Sequence, residues 1–270
     1  MAKYNRYDLK KVTKTLYDVQ DMRKRMEGRL GLKSNGTEKE RKIGDGSNLR
    51  ADINPEVFVS LSILLEQLKE EEKVLVKQQK AMIDDSFPFG EILRSYPGID
   101  YKLAGVLLSE IDIVEGKNVS KLWRFCGLDP TAKSKKGEKN KYNKFLKTKL
   151  VGTFGHMQVT HFDHPLRPFY DARKMRREAQ GWGNDGSSPK GHRNNDAIRY
   201  AVKMWIAKWL YPKWRAFEGL YVRPPYQEEY LGHKHGEVIS FPVQKKGKEK
   251  KERKVLDLDG KKKDKVGEVC

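Results

Sequence analysis

The sequence predicts a mainly α-helical protein, and three observations carry that expectation. Apolar residues recur at three-four spacing over residues 8–30 and again beyond Asn54, a strong helix-start signal opens the second stretch, and no alternating strand pattern precedes residue 90. The first helix places Leu9, Val12, Leu16, Val19, Met26 and Leu30 on one stripe, broken at Arg23. A linker of charged, Gly, Ser and Asn residues follows over 33–52. The second helix opens with Asn54 as N-cap, Pro55 at its first position and Glu56 in its first turn. Its stripe reads Val57, Leu61, Leu64, Leu68, Leu75 and Met82, interrupted by Glu71 and Gln78. Residues 1–86 thus predict a helical hairpin or coiled coil, either an antiparallel pair within the chain or a homodimer surface through residues 8–30 and 55–83; two ordinary amphipathic helices packed on the domain behind them are the alternative.

Residues 87–221 predict a second, all-α unit. Two short helices flank Pro97-Gly98-Ile99, where Pro97 sets the turn, Gly98 lets the backbone approach a phosphate and Ile99 anchors the turn in the core. Such a helix-hairpin-helix can direct backbone N–H groups of its second helix at phosphate oxygens. Asp100 stands where the usual pattern has a second glycine, and its carboxylate would repel a phosphate unless it turns away to cap the helix. A short helix is expected around Ser120 to Phe125. From Lys133 to Lys149 eight lysines face a single acid, Glu138, with Tyr142 and Phe145 among them. Basic residues interleaved with aromatics suit phosphate neutralisation combined with base or sugar stacking; a solvated loop leading into a lysine-faced helix is the alternative. A further helix is expected after His164 with Pro165 first, ending in the loop Gly181 to Pro189. The last, Asn195 to Glu218, carries Ile198, Val202, Trp205 and Trp209 on a core face and is kinked by Pro212. Residues 222–270 are irregular, and from Gln244 onward the lysine-rich, apolar-poor composition predicts a disordered basic tail.

Composition narrows the partner. Lys and Arg number 56 against 37 Asp and Glu, a formal charge of +19, and the pI is near 9.7. A polyanion is the first expectation, nucleic acid ahead of an anionic membrane surface. No apolar run reaches the roughly 18 residues of a spanning helix, and the start of the chain shows no secretory pattern, which predicts a cytoplasmic protein without a membrane partner. Cys126 and Cys270 are too few and too far apart for a disulfide framework or a cysteine metal site. His156, His161, His164, His233 and His235 read as surface or phosphate-facing residues, so no metal site and no cofactor are predicted.

Pro97-Gly98-Ile99, the helix from Ala104 to Glu110, Phe125-Cys126-Gly127-Leu128-Asp129-Pro130, Ser134, Asn143 to Lys147, His164 to Tyr170 and the helix with Ala197, Arg199, Ala201, Val202 and Trp209 occur in an order that resembles one family. It is the C-terminal domain of insertion-sequence transposases of the 110/116/902 type, the serine-dependent recombinases guided by a bridge RNA. The resemblance covers residues 90–220 and lacks the family's N-terminal RuvC-like nuclease domain. It implies DNA transposition or recombination, a structured guide RNA as a further partner, and Ser134 as the catalytic nucleophile, although Lys135 stands where the family has glycine.

A serine attacks a phosphodiester only when its proton is removed and the developing charge is neutralised. Lys133, Lys135 and Lys136 supply positive field, but metal-assisted phosphoryl transfer needs clustered carboxylates, and Asp112, Asp129 and Asp171 are scattered. Mg²⁺ chemistry is therefore expected only with a separate nuclease subunit. The predicted nucleic-acid contacts are Pro97, Gly98, Ile99, Lys102, Lys133, Lys135, Lys136, Lys139, Lys141, Lys144, Lys147 and Lys149. The alternative is a non-catalytic DNA- or RNA-binding module derived from a transposase.

Overall fold

The computed structural model describes residues 3–32, 54–129, 137, 140–160, 164–182, 190–225, 229–230 and 232. The linker 33–52 and nearly all of the basic tail lie outside the described residues. Among the described residues the chain is helical, as its sequence predicts, with no strand. None of these helices is long and apolar enough to cross a membrane.

α1 (Arg6–Arg29) starts at a reciprocal cap: the Asn5 side chain accepts from the Tyr7 and Asp8 amides while Asp8 accepts from the Asn5 amide. α2 (Pro55–Ser86) starts on Asn54, whose side chain accepts from Glu56 N–H at 2.8 Å. With 24 and 32 residues the two helices extend about 36 and 48 Å. They pack antiparallel. Tyr4 N–H donates to Ser86 Oγ at 3.0 Å, Thr13 Oγ1 accepts from Gln79 Nε2 at 2.8 Å, and Met26 and Leu30 meet Leu65 at the far end. The α1 stripe lies inward as expected. On α2 the inner face is shifted: Leu65, Gln79, Met82 and Ile83 are buried, whereas Val57 and Leu64 of the expected stripe are 50% and 40% exposed. The reason is polar. Glu72 and Gln79 have partners on α1, so the face that contains them turns inward and takes precedence over a purely apolar phase.

α3 (Phe89–Ser95) and α4 (Tyr101–Glu110) are joined by a tight turn in which Ile99 N–H donates to Tyr96 O at 3.2 Å. Pro97 occupies its second position and Gly98, at φ +83°, its third, a type II turn that L side chains resist. Asp100 does turn away, accepting from Leu103 N–H at 2.9 Å as the N-cap of α4. Tyr96 anchors the turn among Phe154, Trp205 and Trp209, at ring-centroid distances of 5.9, 5.6 and 4.7 Å.

α5 (Val119–Phe125) follows a loop held by the far end of the fold. Arg215 donates to Ile113 O at 2.9 Å and Tyr221 O at 2.7 Å, and Tyr211 Oη donates to Lys117 O at 2.9 Å. α6 (Lys144–Lys147) runs without interruption through a π-helical stretch, Thr148–Gly155, into α7 (His156–Thr160). α8 (Arg167–Ala179) begins two residues later than Pro165: Arg167 N–H closes a turn onto His164 O at 2.8 Å, and Pro168 takes the first-turn place where a missing N–H costs nothing. α9 (Lys190–Trp205) starts five residues ahead of the expected Asn195, because Asn194 accepts from Tyr170 Oη and Arg193 pairs with Glu178. These contacts outweigh the poor helix propensity of its glycine and asparagines. Pro212 does not break the rod; a π-helical stretch, Ile206–Leu210, precedes it, and it sits in the first turn of α10 (Tyr211–Phe217).

One apolar core runs from Leu9, Met82 and Ile83 through α4 to Trp214, so packing is continuous across residues 86 and 87. At its centre α4 passes so close to α2 that a Cβ on Gly105 would lie 2.1 Å from Gln79 Nε2. Gln79 is wholly buried and cannot swing clear. Gly105→Ala should therefore lower unfolding stability by about 1–3 kcal/mol, measured by chemical denaturation, despite the better helix propensity of alanine.

Candidate nucleic-acid interface

The described half of the lysine run is built around Asn143. Its N–H donates to Phe125 O at 2.9 Å, its Oδ1 caps Leu146 N–H at 3.0 Å, and its Nδ2 donates to Glu110 Oε2 at 2.6 Å. The start of α6 is thereby fixed to the ends of α4 and α5. Lys141 and Lys144 are exposed. Lys147 Nζ lies 4.5 Å from the Tyr142 ring centroid, and Lys149 Nζ lies 3.5 Å from that of Tyr17 and 5.3 Å from that of Phe145. Tyr17 and Phe145 meet edge to face at 5.4 Å. Burial lowers the Lys149 pKa; Asp21 opposes the shift and Lys24 adds to it. Burial also pushes the Tyr17 phenol upward, so it stays neutral.

α1 runs beside this segment and contributes cations absent from the expected set. Lys10 and Lys14 lie 3.0 and 3.9 Å from the Glu110 carboxylate while remaining partly exposed, and Lys24 is close enough to Lys149 to repel it. The face therefore combines Lys10, Lys14 and Lys24 of α1 with Lys141, Lys144, Lys147 and Lys149. The only sign of the α1 members in the sequence is their place on the polar side of the stripe.

Other expected residues are placed differently. Lys102 Nζ lies 3.1 Å from Glu72 Oε1, in a network where Arg23 Nε holds Glu72 Oε2 at 2.7 Å and Gln20 holds Oε1 at 2.5 Å. Burial works against the Glu72 charge, yet the bonds from Gln20, Arg23 and Lys102 outweigh it and hold its pKa below the usual range. Lys102 thus joins α4 to α2. Pro97 and Gly98 are exposed and Ile99 is buried. One side of their turn is closed by α7: Pro97 O accepts from Gln158 Nε2 at 2.9 Å, and a Cβ on Gly98 would meet Met157 Cε at 2.5 Å. Lys133, Ser134, Lys135, Lys136 and Lys139 lie outside the described residues, as do His161, His233, His235 and Cys270. His156 is exposed, and the His164 ring lies 5.9 Å from Tyr96. Cys126 is a buried free thiol, raised in pKa by burial. Among the described residues no three His, Cys, Asp or Glu side chains form a metal-binding group.

The chain leaves the described fold at Asp129, beside a second cluster the sequence did not single out. Lys203 Nζ lies 4.4 Å over the Trp123 ring; burial lowers its pKa, Asp129 and Asp196 pull the other way, and Arg173 adds to the lowering. Asp196 joins α9 to α8 by accepting from Arg173 Nε and Arg177 Nε, each at 2.8 Å. Burial disfavours its charge, but the hydrogen bonds from Arg177 and Arg173 prevail and depress its pKa.

Compared with models of protein families, with curated protein sequences and with solved structures, the chain gives no match to any of the three.

Because Asp196 is depressed in the folded state, its stabilising contribution is complete above its unfolded pKa of about 3.9 and fades as pH falls through the folded value. Asp196→Asn should lower Tm clearly at pH 7 and much less at pH 2, read by thermal unfolding at both pH values.

Proposed function

We propose that this protein is a DNA-binding protein of transposition or recombination that grips the nucleic-acid backbone with the face formed by α1 and α6. The observation that carries this reading is the convergence of Lys10, Lys14 and Lys24 with Lys141, Lys144, Lys147 and Lys149 around Tyr17, Tyr142 and Phe145. Cations fixed beside aromatic rings neutralise phosphates and offer stacking surfaces to unpaired bases. The exposed Pro97–Gly98 turn adds a backbone contact from its solvent side. The transposase resemblance supports the same reading and adds Ser134 as the strand-transfer nucleophile. Its hydroxyl oxygen would displace a deoxyribose 3′ oxygen from phosphorus, with a separate nuclease subunit supplying Mg²⁺, carboxylates and the base. A guide RNA and a second copy of the chain are further partners under this reading.

If about six lysines contact phosphates, the logarithm of the association constant should fall with the logarithm of salt concentration with a slope near five, and Lys144→Ala with Lys147→Ala should reduce that slope by about two. Fluorescence anisotropy with labelled duplex over a salt series reads this out, and a flat salt dependence would remove the proposal. The serine step is tested by incubating protein with labelled DNA, Mg²⁺ and the candidate nuclease subunit, then denaturing. A covalent protein–DNA adduct is expected, and it should vanish in Ser134→Ala while binding persists. Absence of an adduct, with salt-sensitive binding intact, leaves a binding module without strand transfer.

A further inference from the structure

The turn between α3 and α4 has two forms open to it. Its closing bond, from Ile99 N–H to Tyr96 O, is common to type I and type II turns, which differ by a half-rotation of the central peptide, here Pro97–Gly98. Proline at the second position suits both forms, and glycine at the third adopts either sign of φ. These residues alone therefore leave open which way the peptide faces. Gln158 decides it. Its side chain, carried on α7 and only 2% exposed, donates from Nε2 to Pro97 O at 2.9 Å. Only the nitrogen of the amide can donate to a carbonyl oxygen, and so enclosed a side chain has no room to swing away. In a trans peptide N–H and C=O point in opposite directions. With Pro97 O turned to α7, the Gly98 N–H is turned away from it. Gly98 is exposed, and its N–H makes no hydrogen bond to any described residue. The charged groups nearby are committed: Asp100 Oδ1 accepts from Leu103 N–H, Lys102 holds Glu72, and Arg94 lies 3.3 Å from Asp84. The group left open at the tip of the turn is thus an uncharged donor.

We propose that Gln158 is a positioning residue for a phosphate contact: it holds the Pro97–Gly98 peptide in the one orientation in which the Gly98 N–H faces outward and donates to a phosphodiester oxygen of bound DNA. The inference rests on the nucleic-acid reading above. Without the Gln158 bond the peptide is free to rotate into the type I form, which keeps the Ile99 bond but turns Pro97 O outward, and a carbonyl oxygen repels a phosphate. α7 is the far end of the continuous rod whose start carries Lys144 and Lys147. One bond from that rod therefore sets both the direction of the donor and its place relative to the lysine face. The two contacts differ in kind. Lysines neutralise phosphates and release counterions, whereas an amide N–H does neither.

The test uses the full chain labelled with ¹³C at proline carbonyls and ¹⁵N at glycine. Pro-Gly occurs once in the sequence, so a carbonyl-to-amide correlation spectrum isolates the Pro97–Gly98 signal. Titration with a DNA duplex should move the Gly98 proton downfield, and inorganic phosphate at the same phosphate concentration should leave it in place. Gln158→Met keeps the length of the side chain and removes the donor. It should shift the Pro97 carbonyl signal of the free protein, cancel the response of the Gly98 proton to duplex, and weaken duplex binding about fivefold. That factor should be the same at every salt concentration, unlike the loss from a lysine substitution. A wild-type Gly98 proton that ignores the duplex, or that answers inorganic phosphate equally, overturns the proposal. So does undiminished binding by Gln158→Met with the Gly98 response intact, which would leave Gln158 a packing residue. If Gln158→Met unfolds by circular dichroism, the wild-type titration decides alone. Salt-sensitive duplex binding with a silent Gly98 removes the turn contact only, whereas absence of salt-sensitive binding defeats the nucleic-acid reading itself, and the turn contact with it.

Discussion

The buried amide of Gln79 governs the arrangement of the N-terminal half of the fold. Its Nε2 donates to Thr13 Oγ1 across the interface of α1 and α2, and the backbone of α4 passes directly over it at Gly105. A helix interface of leucines alone tolerates small rotations, whereas a buried amide that loses its partner costs about 1–3 kcal/mol. Gln79 therefore sets the phase of α2 against α1, and two consequences follow. Glu72 is brought under Arg23 and Lys102, which ties the N-terminal end of α4, and with it the Pro97–Gly98 turn, to the hairpin. The other end of α4 carries Glu110 to Lys10, Lys14 and Asn143, where the lysine-bearing α6 begins. The turn and the lysine face are thus held in relation by a single ten-residue helix.

The fold divides its cations by type. Arginines mostly hold the structure: Arg173 and Arg177 share Asp196, Arg193 pairs with Glu178, Arg167 with Asp171, and Arg215 is buried with its fork on main-chain carbonyls. A planar guanidinium satisfies several acceptors at once, which suits it to these places. Lysines, Lys102 apart, supply most of the solvent-facing charge around α1 and α6. A formal charge of +19 consequently overstates what is offered to a partner, and the lysine positions matter more than the total.

Much of the helical framework was legible in the sequence because periodicity and caps are local signals. The α1 stripe, the Asn54–Pro55 start, the Asp100 cap and the core placement of Trp205 and Trp209 all follow from residues within a turn or two of one another. What escaped was long-range. The phase of α2 depends on partners 49 to 66 residues away, the early start of α9 on contacts to α8, and the length of the α6–α7 rod on burial of Leu150, Phe154 and Val159 in a core assembled from distant helices. At the candidate site the lysines of the 141–149 run were legible as a charge cluster. The contributions of Lys10, Lys14 and Glu110 were not, because nothing in the order of residues indicates that the first helix lies against the sixth.

Glu110 ties the lysine face to the C-terminal end of α4. Asn143 caps the helix that carries Lys144 and Lys147 and also donates to the carboxylate, so the same contact places the cations and holds the anion beneath them. Phosphate contacts are indifferent to sequence, and a face of lysines alone would bind any strand alike. The face is not lysine alone, because the Glu110 carboxylate is set below it. Lys10 and Lys14 reduce the cost of burying the carboxylate without supplying a donor to Oε1. Part of the charge of Lys10 and Lys14 is accordingly held by Glu110 rather than offered to solvent.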